Sequence, residues 1–177
     1  MDFELLAALA AGLAATVVMT ALMTMATRAG MTDMPPMPLV TGAMMTGDRR
    51  QAMAFGAVVH YLVMGTAVFG SLYGALFVAI GDASWWIGAL IGVAHGLVVG
   101  AMFMPMMPTM HPRMSRSAAP ARTGLDRATV TEQPDGEVRL AAPGFMGKDW
   151  GAMTPAGLVM GHAVYGVVAA LVYSWVV

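Results

Sequence analysis

Four long apolar stretches alternate along the chain with two polar loops and one short turn. The stretches cover residues 5–27, 52–80, 84–107 and 152–177, and none of them contains Asp, Glu, Lys or Arg. A helix needs about 20 apolar residues to cross a hydrocarbon layer of ~30 Å. We therefore predict an all-α fold: one integral membrane domain over residues 1–177, built as a four-helix bundle with loops at residues 28–51 and 108–151.

The basic residues lie on only one side of this predicted bundle. Four spans place the two polar loops together, and both termini together with the turn at residues 81–83 on the opposite side. Loops that carry Lys and Arg remain in the cytoplasm. We therefore expect a multi-pass protein of the prokaryotic cytoplasmic membrane with both termini outside. The nine cations in the loops on which this expectation rests are Arg28, Arg49, Arg50, Arg113, Arg116, Arg122, Arg127, Arg139 and Lys148.

The second loop contains one pattern that is typical of β-structure. Val130 and Val138 flank the turn sequence Pro134-Asp135-Gly136, and short β-prone runs separated by such a turn favour a hairpin. We predict a small hairpin within residues 129–140. The preceding stretch, residues 112–123, is rich in Pro, Ser, Ala and Arg and is expected to be irregular, solvated chain.

Composition narrows the range of functions. The chain is 58% hydrophobic and 11% charged, with a formal net charge of −1 and no Cys, and its mean hydropathy is +0.70. Soluble domains carry about a quarter charged residues, so a soluble enzyme is nearly ruled out. The lack of Cys excludes disulfides, thiolate zinc sites and iron–sulfur clusters, and a basic footprint for nucleic acid is missing.

Glycines at four-residue spacing mark one face of the third span. Gly88, Gly92, Gly96 and Gly100 repeat at this interval, which lets a neighbouring membrane helix approach closely. We interpret this face as a helix-packing surface and not as a ligand site.

Three histidines are predicted to share one layer of the membrane. His60 lies eight residues from Ala52, His162 lies eight residues from Thr154, and His95 lies ten residues from Pro105, each near the inner end of its span. These separations correspond to roughly 12–15 Å at 1.5 Å per residue. Met19, nine residues before Arg28, falls near the same layer. Ionisable residues inside the bilayer are candidates for function by default.

This layer suggests a transition-metal site. Imidazole binds several transition metals, and thioether sulfur is a soft ligand that favours Cu(I). We predict that His60, His95, His162 and Met19 bind copper, and that a second soft-metal cluster lies where the third span meets the cytoplasm, facing Met31, Met34 and Met37. Its members would be Met102, Met104, Met106, Met107, Met110 and His111, followed by Met114.

The same residues allow other interpretations. Membrane histidines also serve as hydrogen-bonding contacts between helices, and methionine fills gaps in apolar cores. His60 and His162 could instead be the axial ligands of a b-type haem. A proton- or ion-coupled transporter would lack the usual intramembrane carboxylate, and a cofactor-free accessory subunit of a larger complex, or a homo-oligomer, remains open. No Ser lies in the histidine layer and no carboxylate is placed as a base, so enzymatic activity is disfavoured.

Several short motifs carry a resemblance to a known family. They are His95-Gly96-Leu97-Val98-Val99-Gly100, Met104-Pro105-Met106-Met107 with His111-Pro112, Gly161-His162-Ala163-Val164-Tyr165-Gly166, and Ala15-Thr16-Val17-Val18-Met19-Thr20. With these motifs the chain resembles small four-helix membrane proteins of bacteria and archaea that have no assigned function. The resemblance covers the four spans but not residues 115–140. It implies the same topology and no particular activity.

Overall fold

The computed structural model describes residues 2–115 and 129–177 and is mostly helical. The predicted irregular stretch at residues 112–123 lies largely outside the described residues, as do Arg116, Arg122 and Arg127. The helices are α1 (Leu5–Arg28), α2 (Met37–Gly42), α3 (Arg49–Ile80), α4 (Trp85–Met110) and α5 (Thr154–Val176). All of them except the short α2 are long and apolar enough to cross a membrane.

The four long helices coincide with the four predicted stretches and differ from them mainly at two ends. Helix α3 begins three residues early because the Asp48 side chain accepts a hydrogen bond of 2.7 Å from the Gln51 N–H, an N-cap that starts the helix ahead of the apolar run. Helix α4 continues past the predicted end at residue 107 to Met110. The chain is thus a multi-pass membrane protein by the length and composition of its helices.

Hydrogen bonds place both chain termini and the α3–α4 turn at the same end of the bundle. The Tyr173 hydroxyl accepts from the Glu4 N–H (3.2 Å) and donates to the Asp2 carbonyl (3.3 Å). Ser174 donates to the carbonyl of Ala83 in the α3–α4 turn (2.9 Å). Both termini and this turn therefore lie at one end. We call the opposite end, where α1 finishes at Arg28 and α3 begins at Arg49, the basic end.

The glycine face of α4 packs directly against α5. A Cβ atom added to Gly92 would overlap the His162 carbonyl oxygen, and one added to Gly88 would overlap the Gly166 carbonyl oxygen. Gly96 lies against the His162 side chain, where an added Cβ would be 3.1 Å from the His162 Cβ. The small residues therefore bring the two backbones into contact, as the spacing predicted.

Two stretches of the long helices are wound as π-helix. They are Val58–Gly70 within α3 and Val99–Phe103 within α4. The Thr66 hydroxyl donates to the Tyr61 carbonyl five residues earlier, at 2.7 Å. A π-turn takes in an extra residue compared with an α-turn, so residues that follow such a stretch are rotated away from the face that α-helical spacing would give them.

A small folded cap closes the basic end. Strand β3 (Val138–Ala141) pairs antiparallel with β2 (Val130–Glu132), across the turn for which the sequence predicts a hairpin, and parallel with the unpredicted β1 (Met114–Ser115). A 3₁₀ segment (Phe145–Trp150) leads into α5. Trp150 is fully buried, and its indole N–H donates to the Ala141 carbonyl at 2.9 Å. This contact ties the sheet to the base of α5.

The packing of α4 on α5 generates a stability prediction. Gly92→Ala should lower the free energy of unfolding by about 1–3 kcal/mol, because the new methyl group forces two backbones apart. Gly157→Ala is the matched control, since an added Cβ there meets no atom within 4 Å. The control should be neutral or stabilising by helix propensity. Thermal unfolding in the same detergent checks both variants, and an equal response of the two would contradict the packing account.

Candidate functional site

A cavity of about 620 Å³ lies inside the bundle and contains the predicted histidine layer. His60 from α3, His95 from α4 and His162 from α5 all line it, together with side chains from α1. We call this space the central cavity. The structure therefore turns all three histidines toward the same interior volume.

His95 and His162 form a close pair within the central cavity. Their ring centroids are 4.6 Å apart and their planes meet at 77°, an edge-to-face arrangement. The pairing follows from the glycine contact, because Gly92, three residues before His95, lies against the His162 backbone and Gly96, the residue after His95, lies against the His162 side chain. A larger residue at either glycine would separate the two imidazoles.

The hydrogen bond of His162 determines which ring nitrogen is free. Its Nδ1 lies 2.8 Å from the Leu158 carbonyl oxygen, which can only accept, so Nδ1 carries the proton and donates. In the neutral ring, Nε2 is then left with its lone pair. Metal-binding histidines commonly use their second N–H in this way, which orients the ring and increases its basicity.

Aromatic side chains surround His95. The Tyr73 hydroxyl lies 3.2 Å from its Nδ1, and the rings of Phe69 and Tyr165 lie with centroids 4.5 and 6.4 Å from its ring. The Tyr165 hydroxyl donates to the Gly65 carbonyl at 3.0 Å. Sequence reasoning missed these three neighbours. Tyr165 had a detectable signal, since it follows His162 by three residues and so shares its helix face.

His60 lies apart from the other two histidines. Its Nε2 is 3.0 Å from the Thr20 hydroxyl of α1, and its ring packs edge-on against Tyr61 with centroids 5.1 Å apart. Within the part of the chain that the structure describes, no three His, Cys, Asp or Glu side chains are placed so that they could hold a metal ion. The predicted three-histidine shell is therefore not assembled among the described residues: His95 and His162 contact each other, and the His60 Nε2 lies against the Thr20 hydroxyl.

Sulfur makes up much of the remaining lining of the central cavity. Met19, predicted as a fourth ligand, lines it from α1. Further methionines that line it lie on α1, the α1–α2 loop, α2, α3 and α4. The methionines that line the cavity are Met19, Met23, Met34, Met37, Met53, Met64 and Met104.

The predicted methionine cluster on α4 is split by the π-helical stretch. Met104 lines the central cavity and packs in one buried cluster with Met34 and Met114, against which Met37 and Met107 also pack. In contrast, Met102, Met106 and Met110 are exposed. His95, Val99 and Met104 line the cavity at spacings of four and five residues, so the π-turns move the inward face from Met102 to Met104.

His111 is held by backbone groups on both ring nitrogens. Its Nδ1 accepts from the Arg113 N–H at 3.1 Å, so the proton lies on Nε2, which donates to the Val40 carbonyl at 2.9 Å. Both nitrogens are thereby used in connecting the end of α4 to α2. This placement favours a structural role for His111 and not the soft-metal role that the sequence suggested.

Polar groups continue from the histidine layer to the basic end of the central cavity. Thr20, Thr24, Thr27 and Arg28 line it from α1. The cavity is also lined by α2 and by Pro35 and Pro36, which precede it. The Thr24 and Thr27 hydroxyls donate to carbonyls four residues earlier, at 2.8 and 3.1 Å. The cavity is thus apolar and sulfur-rich at its centre and cationic at one end.

The arrangement offers nitrogen and sulfur ligands in a space lined by the four long helices. Among the described residues that line the central cavity there is no Asp or Glu, and the chain has no Cys. The chemistry available is therefore that of imidazole, thioether and hydroxyl groups, with the Arg28 guanidinium at one end. Comparison of the chain with protein-family models, curated proteins and solved structures gave no match.

The buried position of His111 generates a prediction on pH. Burial lowers the pKa of His111, and the nearby Arg113 guanidinium lowers it further, whereas the hydrogen bond to Val40 acts in the opposite direction. Below the ordinary value of about 6.5, the unfolded chain takes up a proton that the folded chain resists, so the fold loses stability as pH falls.

His111→Gln removes this group while keeping a donor and an acceptor at the position. The variant should be less stable than the parent chain at pH ~7.5, and the difference should narrow by pH ~5 because only the parent carries the proton penalty. Denaturation in detergent at both pH values measures it. A difference that stays constant with pH would contradict the assignment.

Proposed function

We propose that this chain binds and handles a transition-metal ion, Cu(I), in its central cavity. The observation that carries the proposal is the His95–His162 pair, with ring centroids 4.6 Å apart and the Nε2 lone pair of His162 left free by its bond to Leu158. Met19 is assigned as a sulfur ligand to the same ion. His60 is assigned as a third nitrogen ligand that leaves Thr20 when the ion is bound.

The ligand types favour copper over other ions. Thioether sulfur is a soft ligand that selects Cu(I), whereas Mg²⁺, Ca²⁺ and Mn²⁺ prefer carboxylate and carbonyl oxygen. The described lining of the central cavity holds several thioethers and three imidazoles but no carboxylate. Neutral ligands in an apolar interior also suit an ion of charge +1 better than one of charge +2, because the free-energy cost of burying an ion increases with the magnitude of its charge.

The proposal includes an orientation in the membrane. The described cations at the basic end, which include Arg28, Arg49 and Arg139, favour a cytoplasmic position for that end. Both termini would then lie outside the prokaryotic cytoplasmic membrane. In this orientation the cationic end of the central cavity faces the cytoplasm.

Copper content of purified variants tests the proposal. The protein, loaded with Cu(I) under reducing conditions and desalted, should retain about one ion per chain. His162→Leu should lose most of it, and His60→Leu should lose less, because His60 lies apart from the pair. His111→Gln is the matched histidine control and should retain the ion. Unchanged copper after the triple replacement of His60, His95 and His162 by Leu would overturn the proposal.

A b-type haem is the second candidate, and one observation favours it. Arg28 lines the same cavity as His60 and His162, so a cation is present that could pair with a haem propionate while the two histidines act as axial ligands. The absorption spectrum of protein purified from haem-supplied cells separates the two candidates. A Soret band lost in His60→Leu and His162→Leu would replace copper by haem.

A folded sample with neither a Soret band nor retained copper would contradict both candidates. It would favour the cofactor-free accessory subunit that the sequence left open. Co-purification with a larger membrane complex would then be the expected result.

A further inference from the structure

A second, smaller pocket lies between the basic end of α1 and the start of α5. Its volume is about 170 Å³, and five of the eleven described residues that line it are methionines: Met23, Met31, Met34, Met153 and Met160. Methionine accounts for only 20 of the 177 residues in the chain, so this share is far above the average. We call this space the methionine pocket.

The oxygen-bearing side chains of the methionine pocket already bond to one another. Thr32 and Thr154 are the described lining residues with side-chain oxygen, and their hydroxyls are 2.6 Å apart. The Thr32 hydroxyl also accepts from the Met34 N–H at 3.2 Å and lies 3.3 Å from the Trp150 carbonyl. The side-chain groups that remain available to a ligand are therefore thioether sulfurs.

These hydrogen bonds also hold the methionines in position. Thr32 lies between Met31 and Met34 in the sequence, and its bond to Thr154 fastens this loop to the first turn of α5. The Asp33 N–H donates to the Trp150 carbonyl at 2.7 Å, which reinforces the attachment. Sulfurs from α1, the following loop and α5 are thus brought together by a fixed framework.

The methionine pocket adjoins the central cavity and also reaches the surface. Met23, Met34 and Leu158 line both spaces. On the outer side, Met31, Met153 and Met160 are 52%, 52% and 66% exposed. A row of thioethers therefore runs from the surface of the bundle to the cavity that contains His162.

We propose that the methionine pocket is a second metal site, made of sulfur ligands alone, that binds Cu(I) at the surface and passes it to the central cavity through Met23 and Met34. Thioether ligands select soft ions, so the pocket binds Cu(I) or Ag(I) and rejects Zn²⁺. The binding step rests on the pocket itself, whereas the transfer step rests on the proposed function of the central cavity.

Silver ion is the probe for the binding step. The full chain in detergent should bind Ag(I) at two sites in a calorimetric titration, one with sulfur ligands only. Replacing Met31, Met153 and Met160 by Leu keeps side-chain volume nearly constant, so folding should be preserved. The variant should lose about one equivalent of Ag(I), or bind it at least about tenfold more weakly.

Three exposed methionines outside both cavities provide the matched control. Met25, Met44 and Met45 are 63%, 47% and 63% exposed, and their joint replacement by Leu should leave the titration unchanged. If both triple variants behave alike, or if the pocket variant still binds two equivalents with unchanged affinity, the methionine pocket is not a site. Binding of Zn²⁺ with equal affinity at the pocket would also overturn the sulfur-only assignment.

The histidine variants separate this inference from the proposed function. His95→Leu with His162→Leu should remove the nitrogen-containing site and leave the sulfur-only equivalent of Ag(I) in place. Loss of both equivalents in that variant would show that the pocket does not bind independently. Loss of neither would contradict the proposed function while leaving the methionine pocket supported.

Discussion

The contact between the α4 and α5 backbones is the constraint on which the site depends. Gly88 and Gly92 have no side chain to keep the helices apart, so α4 lies directly against the carbonyls of Gly166 and His162. In a bilayer, where the lipid is as apolar as the side chains, such close packing is a main source of helix association. The pairing of the imidazoles of His95 and His162 is a direct geometric result of this contact.

Hydropathy and charge were sufficient to predict the long helices, because the cost of burying a charge in the membrane excludes Asp, Glu, Lys and Arg from these stretches. The glycine spacing likewise predicted the packing face of α4. Sequence alone did not indicate which helix that face meets. It also missed β1, a two-residue strand that depends on pairing with a distant segment and has no local pattern of its own.

The site was predicted only in part, and the reason lies in the π-helical stretches. Depth arithmetic at 1.5 Å per residue placed His60, His95 and His162 in one layer, and all three line the central cavity. Depth along a helix does not determine which of its side chains face the cavity. In the π-helical stretch of α4, one extra residue per turn shifts the inward face from Met102 to Met104. Likewise, only the folded chain shows that His60 contacts Thr20 whereas His95 and His162 contact each other.

Hydrogen bonding inside the bundle determines which atoms are left to bind a ligand. The protons of Tyr165 and His162 are committed to the carbonyls of Gly65 and Leu158, and the hydroxyls of Thr32 and Thr154 bond to each other. Buried polar groups must find such partners. Imidazole nitrogen and thioether sulfur remain, and this combination is the chemical basis of the copper assignment.

X-ray absorption at the copper edge, recorded on the full chain loaded with one equivalent of Cu(I) and freed of loosely bound ion, identifies the atoms that bind the metal. We expect a mixed shell of imidazole nitrogen and thioether sulfur, with the multiple-scattering signature of histidine lost in the His95→Leu, His162→Leu variant. A shell of light atoms without sulfur, or a spectrum that the double variant leaves unchanged, would contradict it.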